Sequence, residues 1–329
     1  MKKARILFLM VGIALLTVLF AVFGIKKPVM QIIDFGWKFW ICVLIYFFNQ
    51  AALSFAWMIL IPKKLKAGDF INVLLARTAG DSTTTINSAA SVAGDALKAL
   101  YLQDTVPFKT GLASVVLDRT IHTIGNTLLF LTGIFLAFFK LNLPVWSLAI
   151  LFALFTILLV ILVYLMRHHS RGIIRFVIMK LPDFIHRKIL TPERDKKIRN
   201  LDTEISLIFT HRKNLRHIYL ALVMHTIPVM IAGTLEVYII MFFVGGHVLL
   251  QDALFTYLFG LFISSVAFFV PLNIGTSEGS YAIVLKFLGY DPVIGITVGI
   301  LRRLRALVWS GIGLLLLFHK GLMGGKKSR

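Results

Sequence analysis

Six apolar stretches are each long enough to cross a lipid bilayer, and they constrain the fold more than any other feature of this sequence. They occupy residues 6–25, 39–61, 111–139, 143–166, 218–244 and 292–318. A spanning α-helix needs about 20 mostly apolar residues. The chain is 58% hydrophobic, well above the roughly 45–50% of a soluble domain. The sequence therefore predicts an all-α polytopic membrane protein with six spanning helices.

Basic residues are concentrated in one connection, which sets the expected orientation. Residues 167–217 hold 13 of the 35 Lys and Arg residues and only five acidic residues. Such a loop is normally retained in the cytoplasm, and counting helices from it places both termini there as well. Because this loop explains much of the net charge of +20, we expect no nucleic-acid partner. Under this topology four lysines fall on the outer side, against the charge rule: Lys26, Lys27, Lys38 and Lys140.

Two interrupted segments differ from ordinary spanning helices. Residues 67–102 contain the polar sequence Gly80-Asp-Ser-Thr-Thr-Thr85, and residues 250–290 contain Pro271 followed by Gly275-Thr-Ser-Glu-Gly279. Irregular backbone at membrane depth is tolerated only where it is buried in protein or lines a wet cavity. We therefore expect two re-entrant helical hairpins, an inner one and an outer one. Residues 253–270 could also form a true span.

The two halves of the chain repeat the same order of elements with opposite orientation. Residues 29–140 would form the first repeat around the inner hairpin, and residues 218–319 the second repeat around the outer hairpin. In each repeat an acidic residue precedes an intramembrane arginine, by 24 positions for Asp95 and Arg119 and by 25 for Glu278 and Arg303. An inverted-topology repeat with broken segments is the best sequence indication of a transporter's binding site.

Charged and polar side chains of these segments are the candidate binding residues. Guanidinium groups hold phosphate oxygens bidentately, which suits an anionic lipid headgroup. The candidates are Arg119, Arg303, Arg302, Asp95, Lys98, Glu278, Asn273 and His122. The alternative is that Arg119 pairs with Glu278 or Asp95, and Arg303 with another carboxylate, only to neutralise charge.

Three acidic residues are candidates for proton or cation coupling, namely Glu278, Glu236 and Asp118. Glu236 lies with His225 and Pro228 in the fifth predicted span, where burial could keep it neutral. Glu278 could instead pair with Arg303 or complement a helix N-terminus. The sequence shows no metal-ligand cluster and no grouping typical of catalysis, so we expect no metal, no cofactor and no enzyme activity. A membrane-embedded lipid enzyme is the weaker alternative.

Four motifs in combination resemble a flippase-like family, that of the transmembrane region of lysylphosphatidylglycerol synthase. They are Ser91-Val-Ala-Gly-Asp95, Ser114-Val-Val-Leu-Asp-Arg119, the break at Pro271, Gly275 and Glu278, and Leu301-Arg-Arg303. The resemblance covers residues 40–318 and implies a lipid transporter of a bacterial or archaeal cytoplasmic membrane. Its substrates would be a phospholipid, a polyisoprenoid or a hopanoid. No soluble synthase domain follows Arg329, so lysine transfer is not expected.

An accessory or scaffold subunit, working with lipid-biosynthesis enzymes, is the alternative to a transporter. The two differ in what they require of the interior. A closed interior in which every charge is paired favours the scaffold, whereas an opening between the hairpins favours the transporter.

Overall fold

The computed structural model describes residues 2–86, 91–141, 144–168, 195, 212–266, 270 and 273–321. These residues form helices and connecting turns, without strands, as the sequence predicts. The helices are α1 (Lys2–Phe23), α2 (Lys26–Phe35), α3 (Phe39–Leu60), α4 (Asp69–Ile86), α5 (Ser91–Tyr101), α6 (Phe108–Lys140), α7 (Val145–His168), α8 (Arg212–Gly245), α9 (Leu250–Val266), α10 (Thr276–Phe287) and α11 (Pro292–His319). Most of the basic connection, 169–194 and 196–211, lies outside the described residues.

Three helical segments among the described residues are long and apolar enough to cross a membrane. They are Lys26–Leu60, Phe108–Lys140 and Leu215–Gly245. Helix α11 has 28 residues but carries three arginines near its centre, and α9 has 17 residues. The chain is therefore a polytopic membrane protein, while the six spans and the re-entry of the hairpins stay predictions.

One end of the helix bundle is defined by contacts between chain segments that are distant in sequence. Lys63, just after α3, donates to the carbonyl oxygen of Thr105 at 2.7 Å, just before α6. Lys320, just after α11, pairs with Asp104 at 2.8 Å. Helix α4 begins six residues after Lys63, and α5 ends at Tyr101, whose ring lies 5.1 Å from the Lys320 ammonium. The α4–α5 pair thus starts and finishes at this end, as a hairpin does.

The opposite end is defined in the same way by the second hairpin. Lys140, the last residue of α6, pairs with Asp252 at 2.7 Å in the first turn of α9. Tyr290, just after α10, donates its hydroxyl to Asp252 at 2.9 Å. Lys27 pairs with Asp291, the N-cap of α11. Burial acts to raise the pKa of Asp291, but the bonds from Lys27 and the Val293 N–H lower it below its usual value.

These contacts give partners to three of the four lysines that contradict the charge rule. Lys27 and Lys140 each have a carboxylate partner, and the Lys38 ammonium lies 5.0 Å from the centre of the Phe243 ring. Helix α2, which carries Lys27, was not expected from the sequence. It tolerates Pro28 because a proline in the first turn of a helix removes no intrahelical hydrogen bond.

We expect the two ends of the bundle to face opposite sides of the membrane. In a Cys42→Ser background, a single cysteine replacing the exposed His247, after α8, should react with an impermeant thiol reagent in intact cells. A cysteine replacing the exposed Gln103, at the other end, should react only after the membrane is permeabilised. Labelling of position 103 and protection of position 247 would reverse the orientation.

Helix α11 packs closely on its neighbours through glycine, which gives a second prediction. A Cβ atom at Gly295 would lie 2.4 Å from backbone atoms of Tyr281 and Ala282 in α10, whereas one at Gly311 would meet nothing within 4 Å. Gly295→Ala should therefore cost about 1–3 kcal/mol of stability through overpacking. Gly311→Ala should be neutral or stabilise the helix by up to about 1 kcal/mol. Thermal unfolding of the two purified variants compares them, and equal melting temperatures would contradict the close packing.

Candidate functional site

Each hairpin brings its acidic residue against the arginine of the helix that follows it. Arg119 binds Asp95 bidentately, through Nε to Oδ2 and through Nη2 to Oδ1 at 2.9 Å. Arg303 pairs with Glu278 as well: its Nη2 donates to Oε2 at 2.7 Å, and its Nη1 lies 2.7 Å from Oε1. The two pairs occupy corresponding positions of the predicted repeat. Of the partners that the sequence left open for Arg119, the structure has Asp95 and not Glu278.

Local backbone geometry fixes the second of these pairs. Gly275 adopts φ 76°, a left-handed conformation that glycine takes without strain. Its N–H donates to Glu278 Oε2 at 3.0 Å, so the carboxylate caps the start of α10. Arg303 Nη2 also donates to the carbonyl oxygen of Asn273 at 2.8 Å. Asn273 therefore contributes its backbone to this break, and its side chain lines the adjoining cavity.

The first repeat holds a balanced set of charges, which we call the Asp118 cluster. Arg77, whose side chain is 4% exposed, donates to Asp118 Oδ2 at 2.9 Å. Lys98 lies 2.6 Å from Asp81 and 3.6 Å from Asp95. The cations Arg77, Lys98 and Arg119 thus meet three carboxylates, Asp81, Asp95 and Asp118. The expected helical pair of Arg77 with Asp81 is present but longer, at 3.7 Å.

A cavity of about 450 Å³ adjoins the Asp118 cluster. Its polar lining includes Tyr46, Asn49, Gln50, Thr84, Arg119 and His122. The side chain of Arg119 is 45% exposed, although it lies well inside the apolar helix α6. A charged side chain exposed at membrane depth is costly even when it is paired, so water or an anion beside it would stabilise this surface.

The second repeat holds a cluster around Glu236, whose side chain is 1% exposed. Its Oε2 lies 2.7 Å from Arg302 Nη1 and 2.9 Å from Arg305 Nη1. Two guanidinium groups thus share one carboxylate oxygen of Glu236. The grouping of Glu236 with His225 is wrong. The two residues lie 11 positions apart on α8, about 16 Å along its axis, and His225 contacts Asp118 instead.

Charge in this second cluster, which we call the Glu236 cluster, does not balance. It contains three arginines, Arg302, Arg303 and Arg305, but only two carboxylates, Glu236 and Glu278. Among the described residues one positive charge is therefore left without a partner of opposite sign. An anion placed here would complete the pairing.

Arg302 is the cation of this cluster with the most unused hydrogen-bonding capacity. Although it lies close to Glu236, none of its nitrogens donates a hydrogen bond with acceptable geometry to the described residues. Its guanidinium carbon lies 5.1 Å and 5.6 Å from the centres of the Tyr257 and Tyr281 rings. Two glycines admit these rings, because a Cβ at Gly233 or Gly260 would clash with them. The tyrosines orient the arginine without occupying its donors.

Arg302 lines two further cavities, of about 290 Å³ and about 100 Å³. The larger one shares Thr84 with the cavity of the Asp118 cluster, and the smaller one shares Tyr46 and Asn49 with it. Leu307, which lines the larger cavity, is 44% exposed. The cavities of the two clusters are thus adjacent.

The structure places all ten residues predicted from the sequence in two groups. Arg119, Asp95, Lys98, Asp118 and His122 belong to the first repeat, and Arg302, Arg303, Glu278, Glu236 and Asn273 to the second. In the described residues no group of three His, Cys, Asp or Glu side chains could hold a metal ion. Sequence reasoning missed Tyr257 and Tyr281, because a tyrosine in an apolar helix carries no distinguishing signal.

Comparison with known proteins identifies a family. The family described as the lysylphosphatidylglycerol synthase TM region matches residues 5–313. Since the match covers most of the chain, the protein belongs to this family. No curated protein and no solved structure matches the chain.

Proposed function

We propose that this member of the lysylphosphatidylglycerol synthase TM region family moves a phosphate-bearing anionic lipid between the leaflets of a bacterial or archaeal cytoplasmic membrane. The observation that carries the proposal is the unbalanced positive charge of the Glu236 cluster. Burying a cation without a partner costs several kcal/mol, so a fold that keeps one there is best explained by a ligand of opposite charge.

Arg302 is the residue best suited to bind the headgroup. Its planar guanidinium presents parallel donors that match two phosphate oxygens, and those donors are not used by the described residues. The cavity beside it has room for a headgroup, at about 290 Å³. Because Leu307 in its lining is partly exposed, the apolar tails would remain in the bilayer on this side while the headgroup enters the protein.

The inverted repeat supplies a route between the leaflets. The α4–α5 hairpin begins and ends at one end of the bundle, and the α9–α10 hairpin at the other. Repeats of opposite orientation commonly alternate in exposing a midplane site to the two sides. In our proposal the exposed Arg119 and the cavity of the Asp118 cluster form a second binding site for the headgroup. The headgroup would reach it past Thr84, which lines this cavity and the cavity of about 290 Å³ beside Arg302.

These features favour a transporter over an accessory or scaffold subunit. A scaffold needs only a closed interior with every charge paired. Here Arg119 is partly exposed inside a spanning helix and Arg302 has unused donors. Both cost stability unless they serve a ligand.

The test is lipid movement in liposomes that contain the purified protein. The leaflet distribution of labelled phosphatidylglycerol, a polyisoprenyl phosphate and a hopanoid would be followed over time by accessibility to an impermeant reagent. We expect faster movement of at least one phosphate-bearing lipid, with no change in its mass. Rates equal to those of empty liposomes for every lipid, with the protein shown to be folded, would overturn the proposal. A change in lipid mass would indicate an enzyme instead.

Arg119 and Arg303 are expected to respond differently to substitution. Arg119→Ala should slow lipid movement with the fold retained, because Asp95 keeps a second cation, Lys98, at 3.6 Å. Arg303→Ala should reduce both lipid movement and thermal stability, since it removes the ion-pair partner of Glu278, which is fully buried. Unchanged transport in both variants would restrict these pairs to a structural role.

A further inference from the structure

Four side chains form a hydrogen-bonded row between α6 and α8. Asn126 Nδ2 lies 3.1 Å from His122 Nε2, and His122 Nδ1 lies 3.2 Å from His225 Nδ1. His225 Nε2 lies 2.8 Å from Asp118 Oδ1. His225 is completely buried, whereas His122 lines the cavity of about 450 Å³. The row therefore leads from the cavity to a buried carboxylate.

The row has one arrangement of hydrogens in which both imidazoles are neutral. Asp118 accepts from Arg77 through its other oxygen, so the carboxylate is ionised and His225 Nε2 must donate to it. The Nδ1 atom of neutral His225 then accepts from His122 Nδ1. His122 Nε2 in turn accepts from the Asn126 amide. Every donor in the row has an acceptor.

The same row accommodates one additional proton. A proton taken from water in the cavity would bind His122 Nε2, and the Asn126 amide would rotate by about 180° to offer its oxygen, since its two ends have nearly the same shape. The Nδ1 proton can then move from His122 to His225 without any movement of the rings. In both states each contact within the row joins a donor to an acceptor.

We propose that the Asn126–His122–His225–Asp118 row is a proton-binding site, and that the proton binds together with an anion in the adjoining cavity. The Asp118 cluster is electrically balanced, with three cations and three carboxylates. One added proton gives it a net charge of +1, which attracts an anion. By linkage, the anion then increases the proton affinity to the same extent. The identification of the anion as a lipid headgroup rests on the proposed function.

The proton affinity of the row depends on the charged and titratable groups around the two histidine rings. Those facing the cavity or the rings are Tyr46 on α3, Arg77 and Asp81 on α4, Lys98 on α5, and Asp118 and Arg119 on α6. Of the groups on α9 and α11, Tyr257 contacts Arg302, Arg302 and Arg305 contact Glu236, and the Arg305 guanidinium lies 4.0 Å from the centre of the Tyr46 ring. Within the described residues the charged side chains that act on His122 thus belong to the Asp118 cluster.

Histidine ¹⁵N resonances test proton binding without any lipid. In the wild-type protein, lowering the pH from about 8 to about 5, the range in which histidine commonly titrates, should shift the ring nitrogens of both His122 and His225 together. His122→Gln should remove the joint shift, and His247→Gln, which alters an exposed histidine outside the row, should leave it unchanged. Both rings remaining neutral over this range would overturn the proposal.

Binding of dihexanoylphosphatidylglycerol, a soluble lipid of constant charge in this range, tests the coupling. Calorimetry in buffers of different ionisation enthalpy should show uptake of up to one proton per lipid, with affinity rising at most about tenfold per pH unit as the pH falls. His122→Gln and His225→Gln should abolish the uptake, with His247→Gln as control. If His225→Gln does not fold, His122→Gln carries the test. Lipid binding with unchanged proton uptake in the variants would overturn the coupling, and absence of any lipid binding would count against the proposed function instead.

Discussion

Replacing Glu236 with Gln is expected to lower the free energy of unfolding by about 3–5 kcal/mol, the largest stability loss among the changes considered. Removing one partner of a buried ion pair leaves an uncompensated charge in a medium that solvates it poorly. Here the loss affects two cations, because Arg302 and Arg305 both lie against the same carboxylate oxygen. Thermal and denaturant unfolding of the purified protein would measure it.

A matched control is available at the surface of the bundle. Asp104→Asn removes the ion pair between Asp104 and Lys320, whose side chains are 68% and 36% exposed. This change should lower the free energy of unfolding by less than about 1 kcal/mol. The double variant with Glu236→Gln and Arg305→Gln should recover part of the loss, because it removes one of the stranded cations. A Glu236→Gln variant as stable as wild type would contradict the ion pairing of Glu236 with Arg302 and Arg305, and with it the charge count on which the proposed function rests.

Arg302→Gln is expected to slow the movement of anionic lipid by roughly 10-fold to 100-fold with the fold retained. A hydrogen bond to a charged group contributes about 1.5–3 kcal/mol, and the change removes the donors assigned to the phosphate. The protein should still fold because Arg305 continues to donate to Glu236 at 2.9 Å. Leaflet exchange in liposomes measures the rate.

Two further variants separate binding from simple loss of charge. Arg302→Lys should restore part of the rate, since lysine keeps the charge but loses the bidentate fork. Lys109→Gln, which removes an exposed cation near the end of the bundle, should leave the rate unchanged. Wild-type movement in Arg302→Gln would remove this residue from the headgroup site.

Apolar length and local breaks in the sequence predicted much of the fold. The stretch 39–61 predicted α3, which the structure has at Phe39–Leu60. The Pro271–Gly279 break predicted the start of α10 at Thr276, whereas the polar sequence Gly80–Thr85, expected to interrupt its segment, lies inside α4. The spacing of 24 and 25 positions also predicted that Asp95 and Glu278 hold equivalent places, and both bind the arginine of the next helix.

Contacts between helices that are distant in sequence could not be predicted. Asp118 and His225 are 107 positions apart, and Glu236 is 69 positions from Arg305. Periodicity indicates which face of a helix is polar. It does not indicate which other helix that face contacts, or at what height along the axis the contact lies. This is why Glu236 was grouped with His225, a neighbour in sequence on the same face of α8.

The sequence by itself determined that this chain lies in a membrane and that its intramembrane charges need partners. Both follow from transfer free energy, which depends on the composition and length of each stretch rather than on its surroundings. Only the tertiary structure decided how those charges are shared. Packing of α8, α10 and α11 gives two carboxylates to three arginines, and two tyrosine rings hold Arg302 with its donors unused. The uncompensated charge is a property of several helices together, because the Coulomb energy of a buried group depends on every neighbour within a few ångströms.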